Sequence, residues 1–414
     1  MTEKSQTAVV TVRKERAASP VGAGDPRLVP SVVPAKTPKR YYRPELDSLR
    51  FFAFLAVFLF HVTPRDPSAY SRHSFLPHAV VPWICGIAGA GAFGVDLFFA
   101  LSAYLITTLL LREKAERGHI DVKAFYARRI LRIWPLYFLF IAIAAAIPLW
   151  DHTQKLGWPY VAGYLLLAGN WVYALKGLPA SVAIPLWSIS IEEQFYLLVP
   201  WSIKYFSRRL LIAFACSLLV LANICLYFIG RLHISGLAVW YNSLVQFEFF
   251  AAGMLLCLML RGRIPRMTEG ARLTLAAAFI TCWYFSSKLA LTPRSVGDAN
   301  AGSWPLIFGF GLAALGCCFL LLALLGLEKT QLPRSAIYLG RISYGLYVFH
   351  LPVLHLLSHN ISIHRFIFKG ENWFFNGLVG LGLTIVVASI SYRFFEAPFL
   401  RLKNRYQTIE SRPV

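Results

Sequence analysis

The chain has 414 residues, 57% of them hydrophobic and 15% charged, with a mean hydropathy of +0.56 and a formal net charge of +21. A soluble domain of this length fills its core at a lower apolar content, so repeated apolar runs of roughly 20 residues read as membrane spans. In a soluble chain the positive balance would suit a nucleic-acid binder. Here the 41 Lys and Arg sit mostly between apolar runs, where the positive-inside rule accounts for them, and no nucleic-acid partner is expected.

Residues 1–43 are polar, basic and proline-bearing, with no periodicity and no signal-peptide pattern. They read as a disordered cytoplasmic tail, leaving the first span to direct insertion. Eleven apolar segments follow, near 46–63, 92–111, 133–149, 159–175, 187–203, 209–230, 237–260, 272–291, 304–327, 341–358 and 374–392. Segment 159–175 is the weakest, led by Pro159 and interrupted by Gly163, Gly169 and Asn170. If it dips without crossing, the loops Lys204–Arg209 and Arg261–Arg272 and the tail Arg393–Arg412 gather on the cytoplasmic side; if it crosses, the basic residues spread almost evenly. The expectation is an all-α bundle of about ten transmembrane helices plus one non-crossing segment, in the plasma (inner) membrane with both termini cytoplasmic. The membrane domain covers 44–404, with a short tail over 405–414. The seven cysteines (Cys85, Cys216, Cys225, Cys257, Cys282, Cys317 and Cys318) lie in apolar runs without metal-ligand spacing and read as buried hydrophobes, with no disulfide and no metal site.

An ionisable side chain inside a span costs several kcal/mol unless it is paired or wetted, so each one is a functional candidate. In Leu46-Asp47-Ser48-Leu49-Arg50 and the apolar run ending at His61, Arg50 and His61 are eleven residues apart. That separation returns to within about 20° of one helix face over roughly 16 Å. Histidine also suits removal of a hydroxyl proton near neutral pH. Next, Asp96 sits inside the apolar run Phe93 to Thr107, able either to orient a histidine or to make a structural bond; the residues alone leave both open. Arg128, Arg129 and Arg132 then open the third span, with Arg129 and Arg132 at i, i+3 on one face, a fork suited to phosphate oxygens. Further on, Trp187-Ser188-Ile189-Ser190-Ile191-Glu192-Glu193-Gln194-Phe195-Tyr196 carries two adjacent carboxylates into a span. Last, His350 precedes Pro352 within Ser343 to Val353, where a lone histidine is more often an interhelical bond than a catalyst.

These stretches, in this order from about Tyr41 to Lys403, closely resemble the integral-membrane acyltransferase-3 family, which includes bacterial O-acetyltransferases of surface polysaccharides. The Arg-x10-His element falls on Arg50 and His61, and Gly-Val-Asp-Leu-Phe-Phe on Gly94 to Phe99. Arg-x-x-Arg falls on Arg129 and Arg132, the Trp-Ser to Phe-Tyr element on Trp187 to Tyr196, Ser-Tyr to His-x-Pro on Ser343 to Pro352, and Glu-x-Pro on Glu396 to Pro398. One departure stands out: Leu101-Ser102-Ala103-Tyr104 replaces the common Leu-Ser-Gly-Phe. Many relatives carry a C-terminal hydrolase-like domain, and the expectation here is action through the membrane domain alone.

The resemblance implies acyl-CoA, commonly acetyl-CoA, as co-substrate, with no permanently bound cofactor and no metal. It implies a hydroxyl acceptor of glycan or glycolipid type. On that reading Arg128, Arg129 and Arg132 meet the CoA phosphates. His61 is general base or transient acyl carrier, Asp96 or Glu192 orients it, and Arg50 stabilises charge. Trp187, Glu193, Tyr196 and His350 line the substrate path. The alternative class is a secondary transporter with an Arg/His/Glu pathway, against which stands the lack of paired internal repeats.

Overall fold

The computed structural model describes residues 42–70, 77, 79–290, 302–359 and 373–406. Nearly all of the expected N-terminal tail and most of the C-terminal tail lie outside them. The described residues form a helical bundle without named strands, joined by one isolated β-bridge, Lys155 to Ala180.

Helix α1, Pro44–Val62, has proline in its first turn, where no amide donor is needed, and Glu45 and Asp47 at the positive end of its dipole. Its buried stripe Leu46, Leu49, Ala53, Phe54, Val57 and Phe58 follows the helical period, while Phe52 and Leu59 face outward. Helix α2, Val81–Ala90, passes through a 3-10 turn, Gly91–Phe93, into α3, Gly94–Arg117. Gly91 and Gly94 are there because α1 crosses on top of them: a Cβ would meet the carbonyl oxygens of Ala56 at 2.3 Å and Ala53 at 2.4 Å. Gly118, with φ 76°, ends α3 in the left-handed conformation. Asp121 then caps α4, Val122–Ala146, by accepting from the Ala124 amide. Glu113 fastens this turn, accepting from the Asp121 amide at 2.9 Å and pairing with Arg128 at 3.3 Å.

Segment 159–175 divides into α5, Trp158–Leu165, and α6, Gly169–Lys176, with Leu167 at φ 55° between them. Eight residues extend about 12 Å, far short of a hydrocarbon core of about 30 Å, so neither half can cross. Helix α7, Leu186–Tyr205, is capped by the Lys114 ammonium, which donates to the carbonyls of Ile203 (2.6 Å), Lys204 (3.1 Å) and Phe206 (3.4 Å). Helix α8 is Arg208–Arg231, a short α9 is Gly236–Trp240, and α10 is Ser243–Leu260, capped by Asn242. Segment 237–260 is therefore two helices bent at Tyr241 and Asn242. Helix α10 lies directly on α3, since a Cβ on Gly253 would come within 2.0 Å of the Ala100 carbonyl.

Helices α11, Glu269–Ala290, and α12, Ser303–Leu324, pair through Gly309 against Ala290 and Gly316 against Trp283. Helix α13, Arg334–Arg341, presses Gly340 onto the Asp47 carbonyl of α1. Helix α14, Ser343–His359, and α15, Trp373–Ser391, complete the bundle. Helix α15 runs through a π-helical turn, Tyr392–Glu396, into α16, Ala397–Lys403.

Among the described residues, seven segments are long and apolar enough to cross a membrane: 81–117, 122–149, 208–231, 236–260, 269–290, 303–324 and 373–406. The other three expected spans exist as α1, α7 and α14, of 19, 20 and 17 residues. Helices α1 and α7 carry the Asp47–Arg50 and Glu192–Glu193 charges, and α14, with His350, is the shortest of the three. Helix α2 was not expected, because Pro82, Gly86 and Gly89 mask its apolar run. Cys216 also departs from expectation: it faces outward from α8, whereas Cys85, Cys257 and Cys317 are buried.

Candidate active site

His61 occupies the last turn of α1, and its Nδ1–H donates to the Val57 carbonyl at 2.8 Å. A carbonyl can only accept, so this bond assigns the Nδ1–H tautomer of the neutral ring and leaves Nε2 with a free lone pair. The ring is open to a cavity of about 560 Å3. His350 of α14 is its mirror: fully buried, donating Nδ1–H to the Tyr347 carbonyl at 2.6 Å, with Nε2 lacking any partner. The two imidazole centroids are 5.1 Å apart at 63°. Tyr347 holds this arrangement to the start of α7, its hydroxyl accepting from Ser188 at 2.9 Å and donating to the Pro185 carbonyl at 3.1 Å.

Four residues beyond Ser188 along α7 lies a second polar level. Glu192 Oε1 accepts from Ser102 of α3 at 2.5 Å and from the Tyr196 hydroxyl, while Ser102 and Tyr196 are 2.7 Å apart. The Arg129 guanidinium covers the Tyr196 ring at 5.1 Å and the Phe125 ring at 5.5 Å, with its buried Nε unpartnered. On the neighbouring face Glu193 accepts from Trp134 Nε1–H at 3.2 Å. Tyr344 donates to the Ile133 carbonyl at 2.9 Å. Polar side chains thus step through the bundle from the His61 cavity to the arginines of α4.

The expected residues divide among these levels and beyond them. His61 and His350 meet. Glu192, Tyr196 and Arg129 meet one turn of α7 further on, and neither Glu192 nor Asp96 hydrogen-bonds His61; the Val57 carbonyl orients that ring instead. Asp96 is sealed, both oxygens without a hydrogen bond, with Glu248 of α10 and Cys317 of α12 as electrostatic neighbours. Arg128 is committed to Glu113 and to the Tyr406 carbonyl at 2.7 Å, so it stands apart from Arg129. Arg132 has the buried Glu396 of the π-helical turn as its electrostatic neighbour. Arg50 pairs with Asp47 at 3.0 Å in the first half of α1, where Tyr42 also donates to Asp47. Trp187 is 4% exposed and packs edge-on to Phe99 and Tyr241 as wall rather than lining.

Sequence reasoning passed over Ser102, quoted only as part of a motif, and Glu248, whose lone charge inside apolar α10 was signal enough. It also passed over a cluster beside the cavity. His355 of α14 donates Nε2–H to Asp151 at 2.7 Å, leaving Nδ1 toward Gln154 Nε2 at 3.5 Å, and Gln154 Oε1 accepts from the Val182 amide at 2.8 Å. Hydrogen bonds from His355 and then Thr153 hold the Asp151 carboxyl down to about 2.

The helical bundle thus sets two facing histidines one level from a carboxylate–tyrosine–arginine group. Residues 43–393 match the model of an acyltransferase domain, and the chain belongs to this acyltransferase-3 family. It is 25% identical over 390 residues to a protein named as an O-acetyltransferase in Staphylococcus aureus strain MSSA476, covering 88% of this chain and 58% of that one. O-acetyltransferase OatA of S. aureus strain NCTC 8325 / PS 47 is also 25% identical, over 377 residues, covering 86% of this chain and 57% of its own length. The chain therefore spans a little under three fifths of these relatives.

Proposed function

We propose that this protein moves an acetyl group from cytoplasmic acetyl-CoA to a hydroxyl of a carbohydrate-type acceptor within the plasma membrane, both of its termini being cytoplasmic. The observation that carries this reading is the His61 ring, locked by the Val57 carbonyl so that Nε2 meets the cavity as a free base. In the reaction, Nε2 takes the acceptor hydroxyl proton as that oxygen attacks the thioester carbonyl. Collapse of the tetrahedral adduct breaks the C–S bond, and the imidazolium returns its proton to the departing CoA thiolate. His350, whose ring centroid lies 5.1 Å from that of His61 and whose buried Nε2 has no partner, steadies the imidazolium while it exists.

The donor enters from the side of α4. Arg129 keeps an unpartnered Nε and lies over Tyr196, and with Arg132 it suits CoA phosphates. The pantetheine arm then passes the Ser102–Glu192–Tyr196 level, whose hydrogen bonds fix its width. Arg128, bound within the fold, contributes to this mouth by holding α4 to α3. The test is the acetyl-CoA dependence of transfer. Arg129→Ala is expected to raise the acetyl-CoA KM at least about tenfold, the loss of roughly one charge-assisted bond. An unchanged KM would remove the donor assignment.

A further inference from the structure

The cavity beside His61 is lined by residues that no part of the donor path uses. Asn376 of α15 lines it, and its buried Oδ1 has no hydrogen-bond partner, an acceptor still to be satisfied. Gln154 and His355 also line it: Gln154 Oε1 accepts from the Val182 amide, Asp151 holds the His355 ring, and the Gln154 Nε2 amide, which has two N–H donors, keeps one beyond its 3.5 Å approach to His355. Trp373 lines the same space with its indole braced edge-on by Tyr70 at 5.9 Å. Leu351, Leu354 and Ile184 supply an apolar flank. The described lining residues offer hydrogen-bond donors and acceptors and an aromatic face, and Arg65 is an electrostatic neighbour of His61. About 560 Å3 lies within the roughly 300–1,000 Å3 of small-molecule sites.

We infer that this cavity is the acceptor subsite, and that it takes a hydroxyl-rich pyranose unit held by Asn376 and Gln154 against the Trp373 face, with the His355–Asp151 pair fixing Gln154. Polar groups read the ring hydroxyls, the indole covers the C–H face, and the bound sugar delivers one hydroxyl to His61 Nε2. The inference rests on the transfer reaction proposed above and adds to it which groups read the acceptor and from which side it enters.

The experiment uses membranes that carry the full chain and their endogenous glycan, with radiolabelled acetyl-CoA. Ala180 is exposed and lines the cavity. In Ala180→Cys, a bulky maleimide is expected to abolish label transfer into glycan while leaving displaceable acetyl-CoA binding intact, and the same reagent on the wild type controls for native cysteines. Asn376→Ala is expected to cut transfer at limiting glycan about fivefold to tenfold with an unchanged acetyl-CoA KM, and Trp373→Phe is expected to retain more transfer than Trp373→Ala. Undiminished transfer with the cavity plugged, or an Asn376→Ala defect that moves the acetyl-CoA KM instead, would overturn the acceptor site while the transferase reading stood. Absence of transfer by the unmodified wild type would overturn the transferase reading and this inference together.

Discussion

Both imidazoles at the head of the site donate Nδ1–H to a carbonyl of their own helix, three or four residues back, so each presents Nε2 as a base. They differ in access: His61 opens to the cavity and His350 is fully buried. On the proposed mechanism His61→Ala removes the base, with an expected loss of about 10²–10⁴-fold in kcat, the usual worth of a positioned general base. His350→Gln keeps a polar neighbour and should lower kcat less, leaving the acetyl-CoA KM unchanged; transfer assays over both substrate concentrations separate the two. Tyr196→Phe keeps the ring beneath Arg129 but removes hydroxyl bonds to Ser102 and Glu192. If that level guides the donor, the acetyl-CoA KM should rise several-fold with the fold intact. At the rim, Asp151 has a carboxyl pKa of about 2, below the unfolded value near 3.9, so its stabilising effect is full above that value and fades only as pH falls through about 2. Deprotonation of Asp151 should therefore leave no inflection in the activity profile between about pH 5 and 8, which a pH–rate series checks.

The helices are held close by glycines whose reason is visible only in three dimensions. Gly253 meets the Ala100 carbonyl and Gly340 the Asp47 carbonyl, each nearer than any Cβ could be. Ala103, standing where relatives commonly have glycine, is fully buried in α3, and the close approach of α10 is supplied by Gly253 instead. Gly253→Ala should push α10 from α3 at a cost of about 1–3 kcal/mol. Gly311→Ala, which meets nothing within 4 Å, is the matched control. Thermal unfolding in detergent should show a lower Tm for the first and little change for the second. Apolar length and period made most helices legible in the sequence. The break between α5 and α6 was legible too, from its proline and glycines. Helix α2 was not, because a glycine that lets α11 approach it closely looks locally like a loop: a Cβ on Gly86 would strike the Tyr284 ring.

At the scale of the whole molecule, composition alone was enough to indicate a membrane bundle, and intramembrane charge drew attention to α1, α3, α4, α7 and α14. Which of those charges meet was not readable. Ser102 and Glu192 are ninety residues apart and His61 and His350 nearly three hundred, so only the fold brings each pair together. Helical spacing set Arg50 and His61 about three turns apart on α1, yet it could not tell that Arg50 pairs with Asp47 or that Arg128 bonds Glu113. The cavity cluster escaped because Asp151 and Gln154 lie in a connection and Asn376 near the start of a helix, places where polar residues are ordinary. Acetyl transfer from acetyl-CoA to a glycan hydroxyl, with His61 as the base, is the central proposal. Its most direct measurement follows radiolabel from acetyl-CoA into extracted glycan, in membranes carrying equal amounts of folded wild type or His61→Ala. Label reaching glycan with the wild type and falling to background with His61→Ala is the expected result; equal labelling by the two proteins would contradict the account.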